Sequence, residues 1–406
     1  AQEIYRRSKK LKNMKRVLIF SLAYYPSFVS GAEAAIKEIT DRIEPEDIEF
    51  YLITLLFEKK ALRKEQIGNT TVYRVGFGGA YISKILFIPL AALKARSLNT
   101  VLHFDAVWSM MTYMLLPAVL ARVLGVKAPR ILTLQDGDSY EKVFERTIIK
   151  PFVPALEYGF RTTNIIQVIS SYHGTRPPKR GYKGTVELIY NGANPKNLKD
   201  EYSKEKAEEV AKKLGKKPGD VYLLSASRLV YQKANDQTIR ALALLPENVH
   251  LVLIGEGEDR AMLGSLAEEL HVKERVHLLG QLERTDVPNY RNPIFADIYV
   301  TPSRSEGLQL SSLSAMAGRL PLIATQAGGL AEYVWDTEHN PDKPKTAWVV
   351  DIDAPVQIAA AVKDIIAHPA ETQEVVRTAR KMVEDHFDWD AIAVQMRVRV
   401  FERAFA

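Results

Sequence analysis

The chain has 406 residues, 47% of them hydrophobic and 26% charged, with a formal net charge of +6 and no cysteine. That length exceeds a comfortable single core, so two domains are expected, and the composition excludes the disordered and fibrous classes. The missing cysteines exclude disulfides, thiolate metal sites and cysteine nucleophiles, and they fit a reducing cytoplasm.

Residues 1–20 place a basic run before VLIFSLAYY, as a signal peptide would. No small-residue cleavage site follows, so they read as a terminal tail feeding the first buried strand, with Met14 a candidate original start. Strand patterns then fall at 16–26, 47–57, 70–77, 105–110, 130–136, 164–171 and 185–192, separated by helical patterns at 30–43, 82–99 and 114–125. Strands alternating with helices imply parallel pairing with right-handed crossovers. No apolar run reaches the roughly 20 residues of a spanning helix. The helix at 82–99, flanked by Lys84, Lys94 and Arg96, reads either as an ordinary core helix with solvated ends or as one resting on an anionic membrane surface.

Residues 195–219 form a lysine-rich connection with one solvated helix. The alternation then restarts, with strands at 220–229, 250–257, 276–282, 297–303, 320–325 and 346–350. Helices are expected at 235–245, after Glu306-Gly307 as far as Gly318, at 259–271, at 354–367, and from Ala370 onward. The expected organisation is a first domain over 1–195 and a second over 196–387, both doubly wound and facing across a cleft. A C-terminal helix of about 388–406 is expected to pack back on the first domain. Residues 1–190 carry 28 Lys and Arg against 17 Asp and Glu, and the remainder 27 against 32. Such asymmetry suggests an anionic partner for the first half, and two merely solvated faces would give the same totals.

The stretch DIYVTPSRSEGLQLSSLSAMAGRLPLIATQAGGLAEYV, residues 297–334, is the most informative. A strand ends in a turn, and a helix starts where ligands of open α/β sheets bind. Free N–H groups at a helix start favour anions such as phosphate. GEGEDR at 255–260 lacks the last glycine of a dinucleotide fingerprint and is weak evidence for NAD. The histidines show no metal-ligand spacing, and no aromatic-interleaved basic motif argues for nucleic acid.

Together SASRLVYQK, HLVLIGEGEDR, VHLLGQL, TPSRSEGLQL and AMAGRLPLIATQAGGLAEYV resemble family 4 of the retaining, nucleotide-sugar-dependent glycosyltransferases, which have the GT-B fold. YYPSFVSGAE, LIYNGAN and HFDWDAIA agree with the same family, so the resemblance spans nearly the whole chain. It implies an α/β fold of two Rossmann-like domains and a hexosyl transfer from an NDP-sugar to a glycan, lipid-linked or small-molecule acceptor, without cofactor or metal.

By that resemblance Arg228 and Lys233 hold the donor diphosphate, where two cations would stabilise the charge of the departing group. Glu306 would orient the sugar by accepting from its hydroxyls. Gly307, Leu308, Gln309, Leu310 and Ser311 would offer backbone N–H groups, and Gly31 would let the backbone approach a phosphate, although turn chemistry alone also explains a glycine there. The chain departs from the family twice. Ser314 stands where the family has a second glutamate for the ribose, and Gln135 where it commonly has a histidine facing the donor sugar. Asp136 and Asp138 are acceptor-side candidates. The departures keep open an alternative, a catalytically weakened partner subunit that binds a nucleotide-sugar or glycan. A cytoplasmic location, with peripheral contact between the basic first domain and an anionic membrane, completes the expectation.

Overall fold

The computed structural model describes residues 14–26, 29–138 and 140–406, so the basic tail up to residue 13 lies outside the described residues. The chain divides into two compact units, residues 1–191 with Trp389–Ala406, and Gly192–Asp388.

Unit 1 is built on an eight-stranded sheet in the order β3-β4-β2-β1-β5-β6-β7-β8. Its strands are β1 (Lys15–Phe20), β2 (Ile48–Leu55), β3 (Lys64–Ile67), β4 (Thr70–Val75), β5 (Ala106–Met110), β6 (Arg130–Leu134), β7 (Ile165–Val168) and β8 (Val186–Leu188). All pair in parallel except β3 with β4. Strands covered on both faces need apolar residues at every position. In β1, Val17 and Ile19 join the core beneath helix α1 (Gly31–Thr40), while Leu18 and Phe20 join the one beneath helix α2 (Tyr81–Leu102). The first of these cores also takes in the end of the chain. Phe401 packs edge-on against Phe50 and Trp108, with ring centroids 5.6 and 5.2 Å apart, and Arg399 pairs with Glu187 at 2.8 Å. Burying a ring of that size is worth roughly 1.5–3 kcal/mol.

Two elements of unit 1 differ from the sequence reading. No strand is legible at 64–67, yet β3 forms there as an antiparallel edge. Asn69 Nδ2 donates to Ile43 O at 2.6 Å and fixes the turn that returns the chain onto β4. The helix read at 82–99 extends over 22 residues, which makes α2 long and apolar enough to cross a membrane by length and composition alone.

Unit 2 carries a six-stranded parallel sheet in the order β11-β10-β9-β12-β13-β14. These are β9 (Val221–Ala226), β10 (Val249–Ile254), β11 (Val276–Gly280), β12 (Ile298–Thr301), β13 (Leu322–Ala324) and β14 (Trp348–Val349). Helices α3 (Asn235–Leu242) and α4 (Leu310–Ala317) follow β9 and β12. The strand order reverses between β9 and β12, and such a switch point is where open α/β sheets bind ligands. Where the chain enters and leaves this unit its backbone is tied, with Ala193 N donating to Phe387 O at 2.9 Å.

Candidate functional site

The loops that leave β9 and β12 at the switch point bring Lys233 and Glu306 together. Lys233 Nζ lies 2.5 Å from Glu306 Oε1, and their side chains are only 15% and 5% exposed. Ser303 Oγ donates to the same oxygen at 2.9 Å, and Thr325 Oγ1 anchors the Ser303 carbonyl at 2.7 Å. Glu306 Oε2 takes no donor from a described residue, so one oxygen is held and the other is left for a ligand. Arg228 is exposed, and its guanidinium pairs with no carboxylate among the described residues. The site therefore holds one neutralised cation and one free one.

The local backbone explains this placement. Arg304 ties the loop after β9 to the loop after β12. Its N–H donates to Gln232 O at 2.8 Å and its guanidinium to Tyr231 O at 2.6 Å, while Asp236 and Asp353 pair with it at 2.9 and 2.6 Å. Two glycines permit close backbone crossings. A Cβ on Gly255 (φ 136°) would stand 1.9 Å from Ser227 O, and one on Gly328 (φ 61°) 2.2 Å from Glu306 O. The glycines of GEGEDR thus serve the crossing over the Arg228 loop, where Leu229 N donates to Glu256 O at 2.9 Å. Ser303, Arg304, Asp236 and Asp353 are not among the residues expected from the sequence. Ser303 and Arg304 lie in the TPSRSEG motif and Asp236 close to Lys233, whereas Asp353 carries no sequence signal.

Helix α4 starts beside Glu306, with Gln309 at its cap position. The first N–H groups of an α-helix have no intrahelical partner, which leaves those of Leu310 and Ser311 directed outward. Gly307 and Leu308 are buried, so Leu308 contributes backbone alone; Gln309 is buried too, and its Oε1 lacks a partner. Ser314 is 2% exposed. Its hydroxyl donates to Leu310 O at 2.5 Å and accepts from Asn194 N at 2.9 Å, so it braces the helix within its own unit.

Gly31, Gln135, Asp136 and Asp138 belong to unit 1. Gly31 is exposed at the start of α1, but the Glu33 carboxylate folds back on that helix end and accepts from Ser30 N at 2.7 Å and Ser30 Oγ at 2.5 Å. Gln135 is buried, accepts from Asn191 Nδ2 at 2.7 Å and contacts Met110 Sδ. Asp136 is 4% exposed. Burial raises its pKa, opposed by Thr112, whose Oγ1 donates to it at 2.7 Å. Asp138 is half-buried and pairs with Lys142 at 2.9 Å. A neighbouring imidazole, His173, does not stand in for the family histidine. It is wholly buried, which lowers its pKa to about 4, and its nitrogens bond Ser170 Oγ (2.9 Å) and Asp136 O (2.8 Å).

Residues 206–382 match the sequence model of the family described as Glycosyl transferases group 1. The chain is 30% identical over 218 residues to an uncharacterized glycosyltransferase of Methanocaldococcus jannaschii, covering 51% of this chain and 52% of the relative. It is 26% identical over 245 residues to the GDP-mannose-dependent alpha-(1-6)-phosphatidylinositol monomannoside mannosyltransferase of Mycobacterium tuberculosis, covering 58% and 60%. The matches thus span between half and two thirds of these relatives' lengths. Among solved structures, sucrose-phosphate synthase from Thermosynechococcus elongatus superimposes with a TM-score of 0.81 over 96% of this chain and 99% of that one, at 18% identity. By fold the chain is a GT-B protein of two doubly wound parallel-sheet units, and its second unit carries the glycosyl transferases group 1 pattern.

Proposed function

We propose that this chain is a retaining glycosyltransferase that moves a hexosyl group from an NDP-sugar to the hydroxyl of a glycan, lipid-linked or small-molecule acceptor. The observation that carries the reading is the ionic cluster of unit 2, with Lys233 held on Glu306 and Arg228 left free at the β9/β12 switch point. In transfer the bond from the anomeric carbon to the diphosphate breaks, the acceptor oxygen takes its place, and the acceptor proton is released. Negative charge grows on the leaving diphosphate. Arg228 and Lys233 oppose that growth, and interactions that strengthen in the transition state accelerate the step. The free oxygen of Glu306 accepts from a sugar hydroxyl and fixes the anomeric carbon. The N–H groups at the start of α4 take a phosphate oxygen. Unit 1 supplies the acceptor side, through Asp138 and the loops after β5 and β6. The mannosyltransferase relative is named for a GDP-mannose donor and a phosphatidylinositol monomannoside acceptor, which supports this class.

Release of nucleoside diphosphate from UDP-, GDP- and ADP-sugars, with Arg228→Ala and Lys233→Ala beside the parent, tests the reading. Turnover by the parent and a loss of about a hundredfold or more in each variant are expected. Undiminished turnover in both variants would remove the assigned roles.

A further inference from the structure

The start of α4 carries a side chain that the fold does not use. Gln309 occupies the cap position of that helix, is only 6% exposed, and makes no capping hydrogen bond with its side chain. Ser, Thr, Asp and Asn are the residues that satisfy a helix start, so a glutamine there does not serve the helix. Its backbone is fixed by other means, since Gln309 O accepts from Ser312 Oγ at 2.8 Å and from Tyr333 Oη at 3.2 Å. What remains is the amide. Among the described residues, Gln309 Oε1 is the one buried side-chain nitrogen or oxygen between residues 297 and 334 without a hydrogen-bond partner. A carbonyl shielded from water and left unpaired costs stability, and such an atom calls for a partner from outside the folded chain.

The chemistry of the atom and its surroundings define that partner. An amide oxygen only accepts, so it takes an N–H or O–H group and not a phosphate oxygen or a carboxylate. The neighbouring hydroxyls are occupied elsewhere. Ser303 Oγ donates to Glu306 at 2.9 Å, and Ser312 Oγ bonds Tyr333 Oη at 2.5 Å. Ser314 Oγ donates to Leu310 O at 2.5 Å and accepts from Asn194 N at 2.9 Å. Gln309 lies three residues after Glu306 and directly before Leu310, whose N–H is directed outward. Leu310 and Ser311 are half-buried, so the chain reaches the surface within one residue of the amide. Carbohydrate hydroxyls are donors of the kind required.

We propose that the side chain of Gln309 determines donor specificity, its Oε1 accepting a hydrogen bond from one hydroxyl of the nucleotide-sugar, on the ribose or on the transferred sugar. The assignment rests on the reading of unit 2 as the donor site. A buried acceptor filled by one hydroxyl discriminates against a donor that lacks it, because the acceptor is then left unpaired. Ser314 offers no such group, since its hydroxyl is spent within unit 2. The free oxygen of Glu306 and the amide of Gln309 then read two hydroxyls from the two ends of one short loop.

The test is calorimetric titration of the parent and Gln309→Met with UDP, GDP and ADP, with their sugar conjugates, and with forms of the preferred donor lacking single ribose or sugar hydroxyls. Methionine keeps the length of the side chain and removes the amide. Gln309→Met should melt no lower than the parent and bind the preferred sugar conjugate about tenfold more weakly. A loss already present with the diphosphate assigns the ribose, and a loss confined to the conjugate assigns the transferred sugar. The parent should show the same loss toward the donor lacking that one hydroxyl, and Gln309→Met none. If Gln309→Met fails to fold, Gln309→Asn decides, because it suits a cap position and withdraws the amide by one methylene, with the same loss expected. Equal affinities in parent and variant overturn the proposal and leave the donor reading standing. A lowered melt with parent affinity also overturns it, since the amide then serves the fold. Failure of the parent to bind any nucleotide removes the donor reading and the proposal with it.

Discussion

At the carboxyl edge of the unit 2 sheet the key side chains are ionic. Lys233 and Glu306 neutralise each other at 2.5 Å, Ser303 steadies the carboxylate, and Arg228 stands unpaired beside them. At the same edge of unit 1 burial works against charge on Asp136 and His173. Gln135 bonds Asn191, burial raises the pKa of Asp136, and burial lowers that of His173 to about 4. Both sheets are doubly wound and, but for the β3 edge, parallel, so the difference lies in the loops. In the proposed function one edge meets an anionic diphosphate, while at the other burial makes an unpaired charge costly.

Four substitutions test that contrast, in descending order of expected effect. Glu306→Ala should lower kcat by about a thousandfold and also destabilise unit 2. It leaves a buried ammonium unpaired, a loss of about 3–5 kcal/mol that thermal melting would register as roughly 10 °C. Parent-like melting would mean that the pair is not a feature of the folded chain in solution. Arg228→Ala should cost about a hundredfold in kcat with no change in melting beyond about 0.5 kcal/mol, because its side chain is exposed. That split, activity lost without stability, distinguishes a free cation from a structural one.

The third concerns the position where the family places a glutamate. Ser314→Glu should destabilise unit 2 by about 2–4 kcal/mol in urea unfolding, since it forces a larger charged group into a packed site. It should raise the donor KM; a lowered KM with parent stability would show that position 314 is open to the ligand after all. The fourth concerns the buried edge of unit 1. His173 has a folded pKa below its unfolded 6.5, so its contribution to stability is complete above pH 6.5 and is lost as the pH falls toward 4. The difference in unfolding free energy between parent and His173→Gln should shrink over that window by up to about 3 kcal/mol. A constant difference would mean that His173 titrates alike in both states.

Much of this was legible in the residues. Unbroken apolar runs such as VLIF at 17–20 and LVLI at 251–254 announce strands covered on both faces, and the family resemblance singled out Arg228, Lys233 and Glu306, though not the ion pair that two of them form. The rest depended on contacts that no local pattern encodes. The Ser314 hydroxyl is spent on Asn194, 120 residues away. Ser303 matters because the turn aims its hydroxyl at Glu306, and Arg304 because it reaches back to Asp236. β3 is polar and is held by its turn and by cross-strand pairs such as Glu65 with Arg74. The apolar residues of helix α2 are spread all round its axis, so its sequence could not say which face the sheet would cover.

The central claim, that unit 2 reads a sugar diphosphate nucleotide through a free Arg228 and an anchored Lys233–Glu306 pair, is tested most directly by calorimetric titration. UDP, GDP and ADP, and then their sugar conjugates, would be titrated into the parent, Arg228→Ala and Glu306→Gln. The account predicts that Arg228→Ala loses about a hundredfold in affinity for the preferred diphosphate and its sugar conjugate alike. Glu306→Gln should keep the diphosphate affinity and lose only the increment due to the sugar. Diphosphate affinity unchanged by Arg228→Ala would contradict it.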